Sequence, residues 1–122
     1  MTFINAKVET IDKLIVPENL QYVKAFQGCA NLKNIVFDGV IGQDINFQWS
    51  TLLTRTSIES IVNHLSDSAE GKTLTLSKAA VDEAFKGGLS AADPSTTTDI
   101  GSATVGWFDL TMTKQNWTIT LV

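Results

Sequence analysis

The sequence predicts an α/β fold in which short parallel strands stack as successive coils and a helix-containing segment closes the C-terminal end. Three observations predict it. Within residues 1–50, apolar positions recur at a fixed offset. Elsewhere, apolar and polar residues alternate over short stretches, the mark of half-buried strands. Segments with helical spacing separate the later strands, so parallel pairing through right-handed crossovers is expected.

The stretch "AFQGCANLKNIVFDG", residues 25–39, carries the first observation. Phe26, Cys29, Leu32 and Ile35 fall three apart, as in a tight coil, and Ile35 and Phe37 then alternate as in a strand. Upstream, Ile11, Leu14 and Val16 match Leu32, Ile35 and Phe37, each pair 21 residues apart. This is an L-x-x-L-x-L pattern whose length falls in the leucine-rich-repeat range of roughly 20–29 residues. It predicts strands at "IDKLIVP" and "LKNIVFD". Cys29 then belongs to a turn packed on the core, where a small apolar side chain is wanted.

The remaining elements follow in order. Ile45, Phe47 and Trp49 alternate with Asn46, Gln48 and Ser50, predicting a third strand with both aromatics inward. Ile58, Ile61, Val62 and Leu65 lie on one helical face over residues 56–65, with Thr56 and Glu59 at capping-box spacing. "KTLTLS" reads as a strand with Leu74 and Leu76 inward. Ser77 reads as the N-cap of a helix over "KAAVDEAF" that buries Val81, Ala84 and Phe85 and ends at "KGG". Residues 86–104 are rich in Gly, Ser, Thr and Ala and predict a long surface loop, a length seen mostly where loops are functional or variable. "VGWFDLTMTKQ" fits two patterns: Phe108, Leu110 and Met112 alternate as in a strand, while Val105, Phe108 and Met112 share a helical face. A helix is taken because the stretch must connect to the final strand. "NWTITLV" is the last strand, with Trp117, Ile119 and Leu121 inward. The order is strand, strand, strand, helix, strand, helix, helix, strand. The fold expected is a short right-handed solenoid of leucine-rich-repeat type, with degenerate repeats in 1–50 and a helix–strand C-terminal cap in 51–122 of the same domain.

Composition narrows the partners. The chain has 122 residues, 43% hydrophobic and 18% charged, with a formal net charge of −4. No Lys or Arg cluster exists to meet phosphates, so nucleic acid is not expected as a partner. No apolar run approaches the about 20 residues of a membrane helix, so membrane insertion is not expected. "MTFINAKVET" lacks the charged start and apolar core of a secretory leader. The single Cys excludes an internal disulfide.

The pattern Phe-x-x-Cys-x-x-Leu-x-x-Ile at Phe26, Cys29, Leu32 and Ile35 resembles the BspA-like class of bacterial leucine-rich repeats. The tail, from "SIESIVNHL" through "KTLTLSKAAVDEAF" to "NWTITLV", looks like the C-terminal region that follows such repeats in proteins of gut bacteria and their phages. The resemblance implies binding rather than catalysis: surface adhesion, host recognition, or a module of a phage virion or tail. It implies location at a bacterial cell surface or on a phage particle. The chain departs from the family in carrying about two repeats, where an independent solenoid usually wants three or more. An open strand edge is therefore expected at the N-terminal coil, with residues 1–25 available to a second copy or a neighbouring subunit.

Chemistry-bearing residues are sparse. His64, the only His, falls in the polar set of its helix, away from any Cys at ligand spacing. Asp38, Asp44, Asp93 and Asp99 fit no cation-loop spacing. Asn116-Trp117-Thr118 is a glycosylation sequon in form, but its Asn enters a strand. No enzyme, metal or cofactor is expected. The candidate binding residues are collective. Outward strand positions would form one face carrying Lys13 and Ile15, then Asn34, Val36 and Asp38, then Asn46 and Gln48, then Thr73 and Thr75, then Thr118 and Thr120. Its amides and hydroxyls suit a cell-surface glycan or a peptide backbone better than phosphates. Trp107, beside the long loop, is the expected aromatic anchor. The leading expectation is a non-enzymatic recognition module. The rival is a virion or tail subunit that assembles through its N-terminal coil.

Overall fold

A computed structural model describes residues 5–16, 25–85 and 107–122, without the side chains of Phe108 and Asp109. The expected "KGG" helix end and the expected loop at 86–104 lie outside these. The eight elements appear in the expected order: β1 (Thr10–Val16), β2 (Asn34–Gly39), β3 (Ile45–Phe47), α1 (Arg55–Asn63), β4 (Lys72–Leu76), α2 (Lys78–Ala84), α3 (Trp107–Met112) and β5 (Trp117–Leu121). Among the described residues every strand pair is parallel. The fold is mixed α/β with two small parallel sheets, β1–β2 and β3–β4–β5.

The first coil is built from the spacing already noted. Phe26, Cys29, Leu32 and Ile35 are all fully buried. The Cys29 and Leu32 amides donate to the Phe26 and Cys29 carbonyls, which winds residues 26–32 into consecutive turns. The register of β1 on β2 differs from the 21-residue offset. Ile11 lies opposite Ile35, Leu14 opposite Phe37 and Val16 opposite Gly39. The reason is arithmetic. Ile11 and Leu14 are an odd number of residues apart, so a regular strand would place them on opposite faces. The ladder is irregular between them. β2 meets the same demand differently, leaving Leu32 in the turn ahead of the strand. At the far end Gly39 has φ +109°, and a Cβ there would stand 2.5 Å from the Val16 carbonyl oxygen. Only glycine lets the two backbones close at this point.

The two sheets are separate because a helix occupies the edge of β2. The N-cap of α1 is Thr54, whose side chain accepts from the Ser57 amide; the start at Thr56 expected from the sequence comes two residues late. Ser57 Oγ accepts from the Ile35 amide at 2.9 Å and donates to the Lys33 carbonyl at 3.0 Å. Ser60 Oγ accepts from the Phe37 amide at 3.0 Å. Alternate amides of β2 thus end on hydroxyls three residues apart on one face of α1, where a further strand would otherwise pair. The expectation of one continuous strand face is corrected accordingly.

The second sheet pairs Ile45, Asn46 and Phe47 with Leu74, Thr75 and Leu76, and β4 with β5 from Lys72–Trp117 to Leu76–Leu121. Asp44 Oδ1 accepts from the Thr73 amide at 2.7 Å and starts β4 in register. Ser77 caps α2 as expected, accepting from the Ala80 amide. β3 ends at Phe47, because the chain turns there with the Ser50 amide on the Phe47 carbonyl. Trp49 is consequently half-buried rather than a core residue. α3 buries Trp107 and Leu110, while Met112 is 45% exposed and not on the inward face expected for it. Among the described residues one hydrophobic cluster runs from Leu14 to Trp117. Phe47 joins its two halves, stacked on Phe26 at 4.6 Å and edge-on to Phe37 at 6.3 Å.

Candidate functional site

Of the expected outward residues, six lie together on the solvent face of the second sheet. Parallel register sets Thr73 beside Thr118 and aligns Asn46, Thr75 and Thr120 in one row. Thr118 and Thr120 are exposed; Asn46, Thr73 and Thr75 are half-exposed. Gln48 follows at the end of β3. Asn46 and Gln48 are partly spent on each other. Asn46 Nδ2 donates to Gln48 Oε1 at 3.0 Å, and the Gln48 amide donates to Asn46 Oδ1 at 2.8 Å. This pair fixes one end of the row. The threonines supply rotatable hydroxyls that both donate and accept.

Asn34 and Asp38 belong to the other sheet. Asn34 donates to Thr10 Oγ1 and accepts from Thr54 Oγ1. Asp38 is 3.4 Å from Lys13 Nζ. Around them the first sheet's outer face carries exposed Ile15 and Val36. The expected face is therefore two faces of different chemistry, one uncharged and hydroxylated, the other ionic and apolar.

Trp107 belongs to neither. It is fully buried, edge-on to Phe85 at 5.7 Å, so it is not the exposed anchor the sequence suggested. It lines a groove of about 250 Å³ with Thr111 and Met112 of α3, Lys114 and Gln115 of the connection, and Trp117 and Ile119 of β5. Trp117 and Ile119 alternate with Thr118 and Thr120, so the groove lies on the opposite face of β5 from the threonine row.

Lys114 is the residue that sequence reasoning missed. It is buried, with Nζ 2.8 Å from the Leu65 carbonyl and 2.6 Å from Asp67 Oδ1. Asn116 Nδ2 donates to the Ser66 and Ala69 carbonyls, and Trp117 Nε1 donates to the Ser66 carbonyl at 2.8 Å. Residues 65–69 are thus pinned to the start of β5 by three side chains. The signal available was that Lys114 is the only cationic side chain after Lys86. The same contacts occupy the Asn116 amide of the sequon.

The other singled-out residues have structural work. His64 caps the C-terminus of α1, its Nδ1 donating to the Ser60 carbonyl at 2.6 Å. Cys29 is buried, and burial pushes its thiol up from the ordinary 9.0, against a smaller lowering by a backbone hydrogen bond from Ala6. Among the described residues no three His, Cys, Asp or Glu side chains gather as a metal site; Asp93 and Asp99 lie outside these residues. Compared with protein-family models, curated proteins and solved structures, the chain matches none.

Proposed function

We propose that this chain is a non-enzymatic recognition module that binds a cell-surface glycan or a peptide backbone on the outer face of β3–β4–β5. The observation that carries the reading is the in-register row of Asn46, Thr75 and Thr120 beside Thr73 and Thr118. An uncharged array of donors and acceptors matches the hydroxyls of a sugar or the amides of an extended chain. We read the fold as the end of a leucine-rich-repeat solenoid, residues 1–50 as its last coils and 51–122 as its cap, belonging to a bacterial surface or phage host-recognition protein. The buried Phe26, Cys29, Leu32 and Ile35 support that reading. The test is retention on an array of bacterial surface glycans and extended peptides, repeated with Thr75→Glu and Thr118→Glu. Binding lost in both variants at unchanged thermal stability supports the reading. Wild-type protein that retains no ligand, or variants that bind equally well, overturn it.

A second reading has its own observation. Among the described residues β1 pairs with one strand only, and exposed Ile15 lies on it. A virion or tail subunit docking a copy or neighbour on that edge would use these residues. Light scattering at micromolar concentration and after dilution separates the two: a dilution-resistant closed oligomer favours the subunit, and a monomer favours the recognition module.

A further inference from the structure

The groove between α3 and β5 is lined by two residues whose hydrogen-bond donors are not all taken up among the described residues. Trp107 Nε1 is buried and has no acceptor among the described residues. A buried indole N–H in that state carries its desolvation cost uncompensated. Lys114 Nζ has three protons to give. The Leu65 carbonyl and Asp67 Oδ1 take two of them. Asp67 is 84% exposed at its side chain, so this ion pair reaches the surface and a competing carboxylate can enter it. The groove's apolar members are exposed Met112 and half-buried Ile119. Its volume, about 250 Å³, is just under the range of drug-sized sites, which begins at about 300 Å³, and suits a smaller molecule.

We propose that this groove binds a small amphipathic carboxylate. The apolar body rests on Met112 and Ile119, and the carboxylate accepts hydrogen bonds from Lys114 Nζ and Trp107 Nε1. Two N–H donors on lining residues of one groove match in number the two oxygens of one carboxylate, and charge assistance from the ammonium favours an anion over a neutral carbonyl. Trp107 is covered, so its N–H is reached as side chains at the opening shift. Met112, unbranched and exposed, is the lining side chain freest to do so. The site is independent of the threonine row, which faces the other way.

Hexanoate titrated into the ¹⁵N-labelled full chain tests this, with the indole N–H signals of Trp49, Trp107 and Trp117 as reporters. Saturable shifts of Trp107 and Trp117, with Trp49 unmoved, are expected. Hexanol lacks the carboxylate and acetate lacks the apolar body; each should bind roughly tenfold more weakly or worse. Lys114→Met should abolish the shifts. Because Lys114 also pins residues 65–67, the companion variant is Met112→Glu, at an exposed position, which should keep the native circular dichroism and weaken hexanoate by about tenfold through charge repulsion. Absence of saturation, a response confined to Trp49, equal binding of hexanol, or unchanged affinity in Met112→Glu overturns the proposal.

Discussion

The two sheets are built from the same kind of strand, yet they end in different ways. β1–β2 is closed by α1, whose serines take the amides of Ile35 and Phe37. In β3–β4–β5 the central strand β4 is satisfied by a strand on each side, with Asp44 setting the start. Their outer faces differ as well: Lys13, Asp38, Ile15 and Val36 on the first, amides and threonine hydroxyls on the second. The difference teaches that a backbone edge can be satisfied by side-chain hydroxyls as fully as by another strand. A sheet then stops where a helix presents them at the right spacing, not where the apolar pattern weakens.

The largest blow to the pairing of the two halves is Phe47→Ala. Phe47 is fully buried and touches Phe26 and Phe37 across the boundary. The loss should be about 3–5 kcal/mol in urea denaturation. If the halves are coupled mainly through this ring, circular dichroism and fluorescence will report two transitions where the wild type shows one.

Next in size is Ser57→Ala, which strips the acceptor from the buried Ile35 amide and should cost about 1–3 kcal/mol. Thr75→Ala on the second sheet removes a half-exposed hydroxyl and should stay within about 0.5 kcal/mol. Equal costs would mean that α1 does not seal the first sheet as its geometry implies.

Cys29 sharpens the contrast through pH. Burial raises the thiol above 9.0, so the folded chain keeps its proton where the unfolded chain loses it. The thiol's contribution to stability is constant below 9.0 and falls as pH climbs past it toward the folded value, by at most about 1.4 kcal/mol per pH unit. Denaturation midpoints on either side of 9.0 should show a slope in the wild type that Cys29→Ala lacks. A slope unchanged in the variant would assign it to other groups.

The smallest effect belongs to Lys13→Met. Its pair with Asp38 is 63% and 54% exposed, so removal should cost at most about 1 kcal/mol, less in high salt. A larger loss would show that the first sheet's outer face carries stability that the second does not need.

What was legible in the sequence followed from periodicity. Alternation at Leu74 and Leu76 needs only the pleat, helical spacing at Ile58, Ile61 and Val62 needs only the turn, and the hydroxyl of Ser77 before a helical face needs only the unpaired amides behind it. These local rules placed seven of the eight elements; the helix at Trp107–Met112 and the parallel pairing followed from how the strands must be connected. They also placed the threonines outward, since a buried Leu74 sends Thr73 and Thr75 to the other side.

Tertiary structure decided the rest, because it depends on partners distant in the chain. The register of β1 on β2 was settled by an irregularity between Ile11 and Leu14, with Gly39 letting the backbones close on Val16, and the sheet break by Ser57 and Ser60 reaching strand residues more than twenty positions back. The burial of Trp107 and Lys114 was decided by the elements around them. An isolated tryptophan or lysine in a polar stretch reads as surface by composition. Its environment is set by what folds over it, and for Lys114 that is a carbonyl 49 residues away.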